Sequence, residues 1–242
     1  MSLSALERLG LSRLPNLREK ARRIYKFFSN RPGSEYIASA YAIQGLMVLL
    51  DRYRPKSVLE IGAGIGTLSF AAMHMLDECR KDTKGPFAWK YFAVESDRFC
   101  LEELKKNLEP WESRFTIVDH LEESSELVKD FEFIILDGGK KDGKFFQKIP
   151  LRATLFIEGD RRPQRELLES VSRGRDYVCF NAVAFRFFKS GGYWVYKFEP
   201  MLDDRFYLGF KSLYYRSWAA CKYRIKPIIK IITRTSYRCF GN

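Results

Sequence analysis

Disulfide and zinc patterns are both missing from this 242-residue sequence, whose five cysteines, Cys79, Cys100, Cys179, Cys221 and Cys239, are widely scattered and odd in number. That distribution argues against a disulfide framework or a zinc module and suits a reducing compartment. Long apolar runs are missing too. No 18 consecutive residues are free of charge, so no segment reads as a membrane span, and residues 1–13 carry charges where a secretory leader needs an unbroken apolar stretch. The expectation is a cytoplasmic protein. There is also no internal repeat, no low-complexity tract and no Pro/Ser-rich linker that would divide the chain. One large core is therefore expected, and a fold of this size buries roughly 70–75% of the surface its unfolded chain exposes, so disulfides are not needed for stability.

What is present begins with charge. The net charge of +12 divides unevenly: residues 1–56 hold 11 Lys/Arg against 4 Asp/Glu, residues 57–200 hold 22 against 24, and residues 201–242 hold 9 against 2. The sums are +7, −2 and +7, so an anionic partner would meet the flanks and not the centre. The same division suggests a basic helical flank (1–56), a central core (57–200) and a basic aromatic extension (201–242).

Within the first flank, Leu14, Leu17, Ala21, Ile24 and Phe28 have helical spacing, with Lys and Arg opposite them and a turn at residues 30–33. A second helix is expected over residues 36–53, ending before Pro55. Apolar strands then alternate with helices: strands at 57–61, 91–95, 115–118, 133–137 and 155–158, helices near 67–79 and 99–108. Short continuous apolar strands separated by helices imply a parallel sheet covered on both faces, an α/β doubly wound, Rossmann-like architecture. Two further strands, 177–188 and 193–198, are joined by Lys189-Ser-Gly-Gly192 and read as a closing antiparallel hairpin.

The first strand runs into Glu60-Ile-Gly62-Ala-Gly64-Ile-Gly66-Thr67, which opens a helix. Glycine permits close backbone approach, and the free amides of the following helix start can face a polar ligand. A dinucleotide fingerprint would need glycine at 62, 64 and 67, but position 67 is threonine. A tight turn with no ligand is the alternative. The second strand ends in Glu95, a carboxylate placed to accept from both ribose hydroxyls of a bound nucleoside. It lies 29 residues beyond Gly66, and the polar stretch 77–90 is read as the insertion that lengthens the interval. The fourth strand ends in Asp137, followed by Gly138, Gly139 and Lys140, at the edge of the sheet where ligands of open α/β folds bind.

The spacing G-x-G-x-G preceded by Glu60 resembles the class I S-adenosylmethionine-dependent methyltransferases. The D-x-x-K pattern of Asp137 and Lys140, together with Gln44-Gly45 in the preceding helix, resembles their catechol and caffeoyl-CoA O-methyltransferase branch over about residues 36–200. The resemblance implies S-adenosylmethionine as cofactor, with Glu60 supporting the glycine loop and contacting the methionine end. It also implies that Asp119 and His120, after the third strand, surround the adenine. In that branch the Asp matched by Asp137 binds a divalent metal and the Lys matched by Lys140 is the base for the acceptor hydroxyl. Such an arrangement is chemically coherent, because a hydroxyl is a poor nucleophile until it is deprotonated. The alternative is Asp137 supporting the cofactor or the loop without a metal, and Lys140 a solvated lysine in the charged run 140–144. The branch places an Asp-Asn pair after the fifth strand where this chain has Glu158-Gly159-Asp160, so Glu158 is the candidate second metal ligand and metal dependence stays open. Arg161 and Arg162 follow directly and can grip an anionic group on the acceptor, or lie on an exposed helix start.

In the tail, Tyr214, Trp218, Cys221, Ile225, Ile228 and Ile232 recur at intervals of three and four among Lys and Arg. Such a stripe covers a core, pairs with another subunit, or lies peripherally on an anionic membrane. Three functions remain open: methyl transfer to a hydroxyl of a small-molecule, saccharide or lipid-linked acceptor; methylation of an RNA ribose, with the basic flanks on phosphate; or a non-catalytic binding or assembly protein with the same fold.

Overall fold

Leu17, Ala21, Ile24 and Phe28 occupy one face of helix α1, Leu17–Phe28, and the side chain of Asn16 starts the helix by accepting from the Glu19 amide at 2.9 Å. In the structure, a computed structural model, the described residues are 16–82, 88–118, 127–137, 149–150 and 152–159, with the backbone of 178–183 and 192–197. The helix expected over 36–53 begins later, as α2, Ala40–Tyr53. Ser39 caps it by accepting from the Ala42 amide at 3.1 Å, and residues 34–36 form a separate 3-10 turn. It stops at Arg54, which takes φ 46°. Pro55 follows, and a proline disfavours right-handed helical geometry in the residue before it.

Strand β1, Ser57–Ile61, is buried throughout. Helix α3, Thr67–Asp82, runs three residues beyond the expected end at Cys79. Part of the stretch read as an insertion is therefore helix, and Asp77 explains why it holds: Arg114 reaches its two carboxylate oxygens at 2.5 and 2.9 Å and the Trp111 indole donates at 2.8 Å. Next come β2, Lys90–Val94; α4, Arg98–Asn107; β3, Phe115–Val118; β4, Phe133–Leu136; and β5, Thr154–Glu158. Strands β6, Val178–Val183, and β7, Gly192–Lys197, complete a sheet of order β3-β2-β1-β4-β5-β7-β6. The first five strands are parallel, and β7 runs antiparallel between β5 and β6. The connection between β6 and β7 and the whole basic tail lie outside the described residues.

Alternation along the strands feeds two apolar layers. On one face Val58, Tyr91, Phe133, Ile135 and Phe156 meet the buried faces of α1, α2 and α3. On the other, Leu59, Ile61, Ile134, Leu136, Leu155 and Ile157 pack with Val128, Phe131 and Ile149. α1 is also tied to α3 by the Lys20 ammonium, which donates to both oxygens of Glu78 at 2.5 and 2.6 Å. His74, one turn earlier on α3, is buried, and burial pushes its imidazole down to about 4, with the nearby Glu78 opposing. Among the described residues no helix is long and apolar enough to cross a membrane.

Candidate functional site

Parallel pairing brings the carboxyl ends of β1, β2, β4 and β5 to one edge of the sheet. The last register pairs, Ile61 with Val94, Ile61 with Leu136 and Leu136 with Ile157, set Gly62, Glu95, Asp137 and Glu158 side by side there. The loop of residues 62–66 opens on that edge. Gly62, Gly64 and Gly66 have φ of 84°, 55° and 91°, a backbone region that L side chains rarely adopt. Gly62 also lies directly on the next strand, since a Cβ built there would fall 1.9 Å from the Asp137 carbonyl oxygen.

Hydrogen bonds to the end of β2, from Asn107 and within the loop itself hold its conformation. The Gly62 and Ala63 amides donate to the Val94 carbonyl at 2.9 and 3.2 Å, and the Gly66 amide donates to the Ala63 carbonyl at 3.0 Å. The Gly64 amide donates to Glu95 Oε2 at 2.7 Å. Asn107 Nδ2 donates to the Ile65 carbonyl at 2.8 Å. α3 begins immediately beyond, its first turn closed by Phe70 donating to the Gly66 carbonyl at 2.9 Å.

Glu95 is half-buried, and its other oxygen, Oε1, accepts from the Ser96 and Asp97 amides at 2.7 and 2.9 Å. A carboxylate offers about four acceptor sites. Three are engaged by backbone amides, so a ligand with two hydroxyls at Glu95 has to share or displace the Gly64 amide.

Glu60 is fully buried on β1. Its Oε2 accepts from the hydroxyls of Ser69, on the first turn of α3, and Tyr91, the latter at 2.6 Å. Burial pushes its carboxyl up to about 8, against the lowering effect of those two hydroxyls. Its Oε1 has no hydrogen-bond partner, and neither do Thr67 Oγ1 and Asn107 Oδ1. Among the described residues, three of the four buried side-chain atoms without partners thus flank the glycine loop, the fourth being on His74.

Asp137 is half-buried and Glu158 is buried, both at the expected strand ends. Among the described residues no three His, Cys, Asp or Glu side chains cluster as a metal site. Asp119, His120, Lys140, Asp160, Arg161 and Arg162 lie outside the described residues. Tyr91, Ser69 and Asn107 belong to the site although no motif in the sequence marks them. Asn107 carried a signal, being a polar residue on the same helical face as Leu104.

The strand order, the helices and the glycine loop define the fold of the class I S-adenosylmethionine-dependent methyltransferases. No protein-family model matches the sequence and no curated protein matches it. Solved structures do. A methyltransferase from Podospora anserina bound to S-adenosylhomocysteine superposes with TM-score 0.53 at 10% identity, covering 83% of this chain and 98% of that one. An O-methyltransferase from Bacillus cereus, in complex with S-adenosylhomocysteine, gives 0.54 at 14% identity over 81% and 98%. The O-methyltransferase of tomaymycin synthesis from Streptomyces achromogenes, in complex with S-adenosylmethionine, gives 0.53 at 15% identity over 81% and 97%.

Proposed function

We propose that this protein binds S-adenosylmethionine and transfers its methyl group to a hydroxyl of a small-molecule, saccharide or lipid-linked acceptor. The observation that supports this most is the glycine loop at the carboxyl edge of the sheet, tied to Glu95 and bordered by the buried, half-satisfied Glu60. The residues fit that cofactor. Space beside Gly64 is open, with no atom within 4 Å of a built Cβ. Glu95 can take one ribose hydroxyl at its remaining acceptor position and the second by sharing or displacing the Gly64 amide, and Glu60 Oε1 and Thr67 Oγ1 await polar partners.

When bound, the cofactor supplies an electrophilic methyl group on a sulfonium centre. The protein's part is alignment and deprotonation of the acceptor. Lys140 is proposed as the base; Asp137, directly after β4, and Glu158, the last residue of β5, are proposed as ligands if a divalent metal takes part. Arg161 and Arg162 are proposed to hold an anionic part of the acceptor, and Asp119 and His120 to border the adenine. Calorimetric titration with S-adenosylhomocysteine tests the cofactor assignment. Binding that is lost in Glu95→Ala is expected, and absence of binding by the natural protein would overturn it. Turnover of a natural acceptor that survives in Lys140→Ala would remove the base assignment.

A second reading, methylation of an RNA ribose, draws on the exposed face of α1, where Arg18, Arg22, Arg23 and Lys26 stand against Glu19 alone. RNA affinity that falls steeply with salt would favour it. Flotation with anionic liposomes, lost on deletion of residues 211–242, would favour a lipid-linked acceptor and a peripheral membrane contact.

A further inference from the structure

Asn107 closes α4 and is almost entirely buried, at 1% exposure. Its neighbours on the inner face of the helix and just beyond it, Leu104 and Leu108, lie against Gly66: a Cβ there would come 2.8 Å from Leu104 Cδ1 and 3.6 Å from Leu108 Cγ. The amide of Asn107 is the polar member of this contact. Nδ2 donates to the Ile65 carbonyl across 42 residues of sequence, while Oδ1 has no partner. The Ile65 side chain lies close against Gly33, where an added Cβ would come 2.9 Å from Ile65 Cγ2.

A buried amide satisfied on one side only is a poor stabiliser of a core, where leucine of similar size packs without a desolvation penalty. The bond it does make goes to the loop residue between Gly64, whose amide engages Glu95, and Gly66, which leads into α3. Three glycines at positive φ leave that loop with many alternative conformations, and each tie to a rigid element removes some of them.

We propose that Asn107 is a positioning residue for the cofactor site, holding the Ile65 carbonyl so that the Gly64 amide and the start of α3 keep the geometry that receives S-adenosylmethionine. This rests on the cofactor assignment made above, but the tether itself can be measured without ligand. It is distinct from a packing role, since packing needs only the volume of the side chain and the tether needs its N–H.

The experiment compares the full-length protein with Asn107→Leu and Asn107→Asp, both of which keep the size and remove the amide donor. Three readouts are taken: amide hydrogen exchange at residues 62–66, S-adenosylhomocysteine affinity by calorimetry, and melting temperature. The expected result is faster exchange at Gly64 and Gly66, and affinity weaker by about tenfold, the worth of one buried hydrogen bond. Exchange in β1 and in the middle of α4 should stay as in the natural protein, and at least one of the two variants should melt within a few degrees of it. Loop exchange and affinity unchanged in a folded Asn107→Leu would overturn the proposal, as would faster exchange spread over all of α4 and the sheet. If the natural protein fails to bind S-adenosylhomocysteine while Asn107→Leu still loosens residues 62–66, the tether stands and the cofactor assignment falls.

Discussion

Gly62, Gly64 and Gly66 share one loop and one sign of φ, yet a methyl group added at each meets different surroundings. At Gly62 it would overlap the Asp137 carbonyl oxygen, which belongs to the backbone and cannot swing aside. At Gly64 it would meet nothing, so only the left-handed backbone resists. Gly64→Ala is therefore expected to lose about 1–2 kcal/mol of stability, and Gly62→Ala more than about 3 kcal/mol, as read from urea unfolding. Equal losses would mean that the close approach to β4 is not made. Glu60 carries a pH signature at the same scale. Its carboxyl binds a proton up to about pH 8 when folded, against an ordinary value of 4.5, so the native state holds more protons than the unfolded chain between those limits. Stability contributed by this group is full below about pH 4.5 and is lost as pH rises through about 8. Glu60→Gln should flatten that decline, which denaturant midpoints at pH 5, 7 and 9 will show. The glycines and Glu60 were legible as a motif because their spacing is local. Tyr91, Ser69 and Asn107 were not, because their roles depend on where β2, α3 and α4 lie relative to β1.

Among the elements, α1 is joined to α3 by a polar pair as well as by its apolar face. Lys20 and Glu78 are mostly enclosed, their side chains 10% and 19% exposed, and they pair across the α1–α3 contact beside the neutral His74. Removing one partner leaves a charge without its counterion in a poorly solvated place. Lys20→Met is thus expected to cost about 3 kcal/mol, while the double change Lys20→Met with Glu78→Met should cost clearly less. Hydrogen exchange should report the single variant first as fraying of α1. Helical spacing in the sequence disclosed α1 and α2, and the alternation of strands and helices disclosed α3; side-chain caps at Asn16 and Ser39 set where α1 and α2 begin. Ser39 caps α2 at a later start, and the grip of Arg114 and Trp111 on Asp77 anchors the C-terminal half of α3. The second of these effects joins residues more than thirty positions apart, which no local pattern reports.

At the scale of the whole molecule, Phe70 of α3 joins α1 in the N-terminal flank to Trp111 in the turn that precedes β3. Its ring makes edge contacts with Phe28 of α1 at 5.6 Å and with Trp111 at 5.1 Å between centroids. Phe70→Ala should therefore cost about 3–5 kcal/mol and weaken α1, α3 and the glycine loop together in one urea transition. Separate transitions for the flank and the sheet would show that the two are not one cooperative unit. The sequence alone determined the alternating α/β order, the basic flanks, the glycine loop and the acidic strand ends, because hydrophobic period and glycine spacing are written within a few neighbouring residues. Tertiary structure decided the rest: that β1 stands between β2 and β4, that Glu60 turns inward to Ser69 and Tyr91, and that Glu95 and Asn107 hold the loop from two elements. Those contacts exist only once the strands pair and the helices fold over them, since pairing across a sheet is set by packing and not by proximity in the chain.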